Sequence, residues 1–155
     1  MTLYALRPAP GIESLDDVTV VEESRYGWQF LEQTIALWRL VDEARAKEIE
    51  AIKDRVVQAA PDGEPRFEPK DLQELLRLIT GVDDAIVAAG IVDRHLRAPV
   101  EQLEELARQV PGMDLTTERS LESKTHALGE IMINAVSLRN FLANAEREGC
   151  VVVLG

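Results

Sequence analysis

Residues 26–59 read YGWQFLEQTIALWRLVDEARAKEIEAIKDRVVQA, with no proline and one glycine near the start. As a continuous helix at about 1.5 Å per residue the stretch would span about 50 Å. Its apolar pattern changes midway. Up to Ala44 the stripe is wide, taking Trp28, Phe30, Leu31, Ile35, Leu37, Trp38, Leu40 and Val41, as expected of a helix buried on two sides. Beyond Ala44 it narrows to Ile49, Ile52 and Val56, with Glu48, Glu50, Lys53, Asp54 and Arg55 off the seam. The first half is therefore expected to lie deep and the second to be a one-sided surface helix. Heptad steps from Trp28 through Leu31, Ile35 and Trp38 land on Asp42 and Arg45, three apart and able to pair. Two readings stay open. Either the 3.6-residue period turns the stripe onto Val41 and Ala44 and leaves both charges at the rim, or the pair forms a buried polar layer that fixes helix register.

Working outward, proline and glycine segment the rest of the chain. They cluster at Pro8–Gly11, Pro61–Pro69, Pro99, Pro111–Gly112 and Gly149. A second long helix is expected from about Pro69, well placed at a first helical position, to Arg97, with Leu72, Leu75, Leu76, Ile79, Val82, Ile86 and Ala89 inward. Its small-sided stretch Ala85, Ala88, Ala89, Gly90 reads as the tightest helix crossing, with Gly81 and Gly90 as weak points. Asp93 continues that seam four residues beyond Ala89 and joins Asp42 and Arg45 in the candidate buried polar layer, with Arg97 or a residue from another helix as the expected partner. A short helix over about Pro99–Val110 and a last long helix over about Thr117–Glu148, capped by Gly149, complete the helical set.

Three pieces stand outside the helical pattern: Thr2–Leu6, Val18–Val21 and Cys150–Leu154, each apolar or β-branched and bounded by turn formers. The run Val151–Val153 must satisfy its backbone, so it is expected to pair with an N-terminal piece, in a mini-sheet of two or three strands, or to lie across the bundle. The fold class expected is all-α. It is an antiparallel bundle of three long helices plus one short helix, with short extended segments at both termini. The 155 residues are read as one domain, with an N-terminal segment at 1–25, the bundle at 26–149 and an apolar tail at 150–155. Three long helices leave surface that a fourth would cover, which makes a homodimer the economical expectation.

Charge narrows the function. The chain has 17 Lys and Arg against 28 Asp and Glu, a net charge of −11. Such a chain repels phosphate, so direct nucleic-acid binding and attraction to an anionic membrane are both disfavoured. The longest apolar run, Ala85–Val92, falls well short of the roughly 20 residues of a membrane span, and Met1–Gly11 lacks the layout of a signal peptide. A cytoplasmic location is expected, in keeping with the single cysteine, Cys150. The three long helices are nearly neutral. Eight of the eleven excess negative charges fall in residues 1–25, 61–69 and 99–115. If the first and last of these fold to one end, Asp16, Asp17, Glu22, Glu23, Glu101, Glu104 and Glu105 make an anionic face that speeds encounter with a basic partner. The expected function is a non-enzymatic acidic protein-interaction module, of an inhibitor or immunity type.

Chemistry-bearing motifs are few. The chain has two histidines, and the positions three before them are Val92 and Ser123, which excludes a Glu-x-x-His di-iron site. Glu122, His126 and Glu130 stack at four-residue steps, but without a further His or Cys no metal site and no cofactor are expected. Arg119 and His126, separated by Ser120–Thr125, resemble the Arg-x(4–6)-His motif of HEPN ribonuclease domains. That resemblance implies an all-α bundle in which the arginine and histidine of two protomers meet at a dimer cleft and act on RNA. The family commonly has asparagine directly after the arginine, where this chain has Ser120. A ribonuclease using Arg119 and His126 is thus the alternative function, and a structural subunit of a helical assembly is a third.

Overall fold

The computed structural model describes residues 1–8, 18–92 and 121–155. Along the chain these form β1 (Leu3–Pro8), β2 (Val18–Ser24), α1 (Gly27–Val41), α2 (Glu43–Gln58), β3 (Arg66–Phe67), α3 (Pro69–Ile79), α4 (Val82–Ala88), α5 (Leu121–Arg147) and β4 (Val151–Leu154). The strands make a four-stranded antiparallel sheet in the order β2-β1-β4-β3. The fold is therefore α+β, and the expectation of an all-α bundle with loose extended ends is corrected. The extended pieces are strands of one sheet, and the helices pack on it.

The register explains why the tail is apolar throughout. Leu3 lies opposite Leu154 and Ala5 opposite Val152, on the face that joins the main core with Phe67. Tyr4 lies opposite Val153 and Leu6 opposite Val151, and these four form a separate small cluster on the other face. Successive strand residues point to opposite faces, so a strand buried on both sides shows an unbroken apolar run rather than alternation. All four β4 side chains are buried. The sheet is closed at its ends by Thr2 and Gly155, whose backbone N–H groups each donate to the other's carbonyl at 3.0 Å.

Neither long helical segment stays continuous. The first breaks at Asp42, whose carboxylate accepts from the Arg45 backbone N–H at 3.1 Å and so caps α2. A short acceptor that can bond a nearby backbone N–H favours a helix start over helix interior. Asp42 is exposed and Arg45 half-buried, so they form a helix cap at the rim and not a buried polar layer; Asp93 lies outside the described residues. Ala44, expected on the stripe, is exposed, and Ala46 is buried in its place. The second segment breaks at Gly81, with φ of +90°, between α3 and α4. That left-handed backbone is open to glycine at little cost. Ala88 and Ala89 are exposed, so the small-sided stretch is not a tight crossing.

Helix α1 is central. It packs against α2, α4 and α5, and its residues Gln33–Trp38 are buried in unbroken succession. Helix α5 ends in a Schellman turn. Gly149, at φ +67°, donates to the Glu146 carbonyl and Cys150 to that of Ala145, which aims the chain into β4.

Arg45 ties three helices together. Its Nε donates to the Leu78 carbonyl at 2.7 Å and its Nη2 to the Arg77 carbonyl at 2.9 Å, at the C-terminal end of α3. Its guanidinium carbon lies 4.1 Å from the centroid of a Trp38 ring. Charge-assisted bonds to helix-end carbonyls and stacking on an aromatic face both favour arginine over lysine. Arg45→Ala is expected to cost about 2 kcal/mol in urea unfolding, and Arg45→Lys to recover less than half of it.

Candidate functional site

The strand β2 hands over to α1 through Arg25 and Tyr26. Tyr26 is 59 % exposed, and its ring sits 6.2 Å from that of Phe30, tilted by 43°. The Phe30 N–H donates to the Tyr26 carbonyl, which sets this four-residue spacing on the first turn. Against it lies α5, with Glu130, Ile131 and Asn134 on the facing side. Between the two helices runs a groove of about 380 Å³ lined by Tyr26, Gln29, Phe30, Gln33, Glu130, Ile131 and Asn134. Gln33, only 2 % exposed, accepts at Oε1 from Asn134 Nδ2 at 3.1 Å. A buried amide requires such a partner, and here the partner is on the opposite wall. The groove thus grades from the exposed Tyr26 ring and the half-buried Phe30 ring, past a carboxylate, to a paired amide floor.

A second cleft of about 530 Å³ lies among α2, β3 and α3. Two of its three cations, Arg55 and Arg66, each meet a carboxylate of the same chain, and the third, Lys70, is exposed. Arg55 pairs with Asp71 at 2.6 Å and Arg66 with Glu68 at 2.8 Å, while Asp71 also accepts from the Glu68 N–H at the head of α3. This is a network that joins α2 to α3 and caps a helix.

The anionic face expected from the sequence is not assembled by those of its members that are described. Glu22 and Glu23 are neighbours in β2 and point to opposite faces of the sheet. Glu22 is half-buried, beneath α5, and accepts from Asn144 Nδ2 at 2.7 Å. Glu23 is exposed, with the Arg25 guanidinium 3.8 Å away. Asp16, Asp17, Glu101, Glu104 and Glu105 lie outside the described residues, as does Arg119. His126 and Glu122 belong to α5, but their side chains are not among those described. No group of three His, Cys, Asp or Glu gathers as a metal site among the described residues, and no described helix is long and apolar enough to cross a membrane.

Cys150 is fully buried at the start of β4. Burial pushes its thiol above the usual thiol range; the Arg7 guanidinium opposes this and the Glu148 carboxylate adds to it. A thiol so placed is a poor nucleophile. Labelling by a disulfide reagent at pH 8 is expected to proceed only as fast as the protein unfolds, and within seconds in concentrated urea. Folding disfavours the thiolate, so the contribution of this residue to stability is whole below about pH 8.5, where the unfolded thiol is protonated. It is lost as the pH rises through the raised value of the folded state. Urea melts of Cys150→Ala against pH should lack that alkaline loss.

The groove residues Gln33 and Asn134 carried a faint signal in the sequence: each is an amide set inside an otherwise apolar helical stripe. Their partnership across 101 positions carried none. Comparison with protein-family models, with curated proteins and with solved structures finds no match to this chain.

Proposed function

We propose that the protein is a non-enzymatic acidic interaction module, of the inhibitor or immunity type, that binds a basic partner protein. The observation that carries the reading is the α1–α5 groove, which sets the exposed Tyr26 ring and the half-buried Phe30 ring beside the Glu130 side chain in a chain of net charge −11. A large aromatic side chain left in water beside a groove, as Tyr26 is, belongs to the kind of residue from which interaction hot spots are drawn. The internal ion pairs support it as well. Arg7, Arg25, Arg39, Lys47, Arg55 and Arg66 each meet a carboxylate of the same chain, while Glu48, Asp54, Asp62, Glu64, Glu74 and Asp84 remain exposed to solvent against the exposed cations Lys70, Arg77 and Arg147. The outward field is therefore acidic, which favours a cationic partner over nucleic acid. A cytoplasmic location accords with a reduced, buried Cys150.

A homodimer belongs to the same proposal. Its support is two large apolar side chains left in water on helices that pack together, Val87 on α4 at 60 % exposure and Ile133 on α5 at 65 %. Light scattering that returns a monomer at every concentration removes it.

The module reading is tested by copurification from the producing cell, followed by reconstitution with the purified partner. The expected partner has a basic surface, and its affinity falls steeply between 50 and about 300 mM salt. A partner of acidic or neutral surface, or an affinity indifferent to salt, overturns the reading.

A further inference from the structure

We propose that Asp62 is a modification site: its link to Gly63 isomerises to the isoaspartyl form, which an isoaspartyl carboxyl methyltransferase then methylates from S-adenosylmethionine. The site lies away from the α1–α5 groove and does not depend on the module reading. Of the nine glycines in the chain only Gly63 follows an aspartate, and none follows an asparagine. An aspartyl side chain can be attacked by the amide nitrogen of the next residue, because the ring that closes has five members. Glycine hinders that approach least, having no Cβ.

The structure leaves this pair free to react. Pro61, Asp62, Gly63 and Glu64 are all exposed, in the loop that joins α2 to β3. The Asp62 carboxylate has no hydrogen-bond or ion-pair partner among the described residues. The Gly63 N–H donates to the Ala60 carbonyl at 3.4 Å, longer than the usual range for such a bond. Nor does the fold require glycine at this place. Gly81, Gly90 and Gly149 have positive φ and Gly63 does not, and a Cβ added at Gly63 would meet nothing within 4 Å. The missing Cβ therefore matters to the reactivity of the bond before it and not to the backbone. Asp71 is the contrasting case: buried, paired with Arg55 and followed by Leu72.

The chemistry balances without an added reagent. The Gly63 nitrogen bonds to Asp62 Cγ, and the amide hydrogen and one carboxylate oxygen leave, with a proton from solvent, as water. Water then adds back to the succinimide. Addition at Cγ breaks the new bond and restores aspartate; addition at the main-chain carbonyl breaks the original peptide bond, routes the chain through Cγ and returns the proton. The product has the same mass and charge, one more methylene in the main chain, and a carboxylate attached directly to Cα. The loop can absorb the extra atom, since its next anchor to the sheet is the Pro65 carbonyl, which accepts from the Leu154 N–H at 3.0 Å.

The test ages the full chain at neutral pH, folded and in parallel in concentrated urea, and digests both with trypsin. The fragment 56–66, in which Asp62 is the one aspartate, is expected to split into two species of equal mass in both samples. The aged folded chain is expected to accept a methyl group from purified isoaspartyl methyltransferase, within that fragment. Gly63→Ala is expected to slow the split about tenfold or more, and Asp62→Glu to abolish it, since glutamate would need a six-membered ring; neither should move the urea midpoint. A split in urea but not in the folded chain means that the loop protects the bond, and overturns the proposal. So does methylation confined to other aspartates, or a rate unchanged in Gly63→Ala. A folded chain that isomerises but takes no methyl group overturns the methyltransferase step.

Discussion

A chain cut after Gly149 is expected to lose its cooperative urea transition and its native circular dichroism. The residues removed include β4, which is hydrogen-bonded on one side to β1 and on the other to β3. Four apolar side chains that are buried in the fold go with it. At about 1.5–3 kcal/mol for each buried side chain, that is about 6–12 kcal/mol, comparable with the whole stability of a typical domain. The cut also takes from β3 its one ladder and from β1 one of its two, and uncovers Leu3, Ala5 and Phe67. A milder version is Val152→Asp, which puts a carboxylate between Ala5 and Phe67 where no water reaches. A truncated chain that still melts cooperatively would mean that the sheet contributes little to the fold.

Phe67→Ala is expected to cost about 3–5 kcal/mol, read as a fall in the urea midpoint with an unchanged slope. Strand β3 has only two residues, and its one inward side chain is Phe67, among the most deeply buried in the molecule. It lies opposite Val152 and brings the loop between α2 and α3 onto the sheet. Its neighbour Arg66, exposed and paired with Glu68, is a control: Arg66→Ala is expected to change stability by less than about 1 kcal/mol.

The helical parts of the molecule were legible because their signal is local. The apolar positions of α1, α2 and α3 recur every three or four residues, and Pro69 and Gly149 mark ends where the chain does turn. The breaks at Asp42 and Gly81 were less so. Both residues are tolerated within a helix, and only the competing cap at Arg45 and the positive φ of Gly81 reveal that they end one. The sheet was legible in part: the three extended end pieces and a mini-sheet joining them were among the expectations, but its four-strand order was not, because its pairings are remote. Nothing near Leu3 indicates that Leu154 will lie opposite, and a two-residue strand such as Arg66–Phe67 has no period to detect. Of the seven acidic residues expected on one face, only Glu22 and Glu23 are among the described residues, and these two, adjacent on a strand, point to opposite sides of it. The groove needed the three-dimensional approach of α1 to α5, which no spacing along the chain records.

The hydrogen bonds between Thr2 and Gly155 have a consequence for biosynthesis. Strand β4 emerges from the ribosome about 150 residues after its sheet neighbour β1, or about 7–30 s later at usual elongation rates. Throughout that interval the hairpin of β1 and β2 exposes one bare edge and the oily side chains Leu3 and Ala5. Until β4 arrives, that edge and those side chains are open to the chaperones that bind exposed apolar chain.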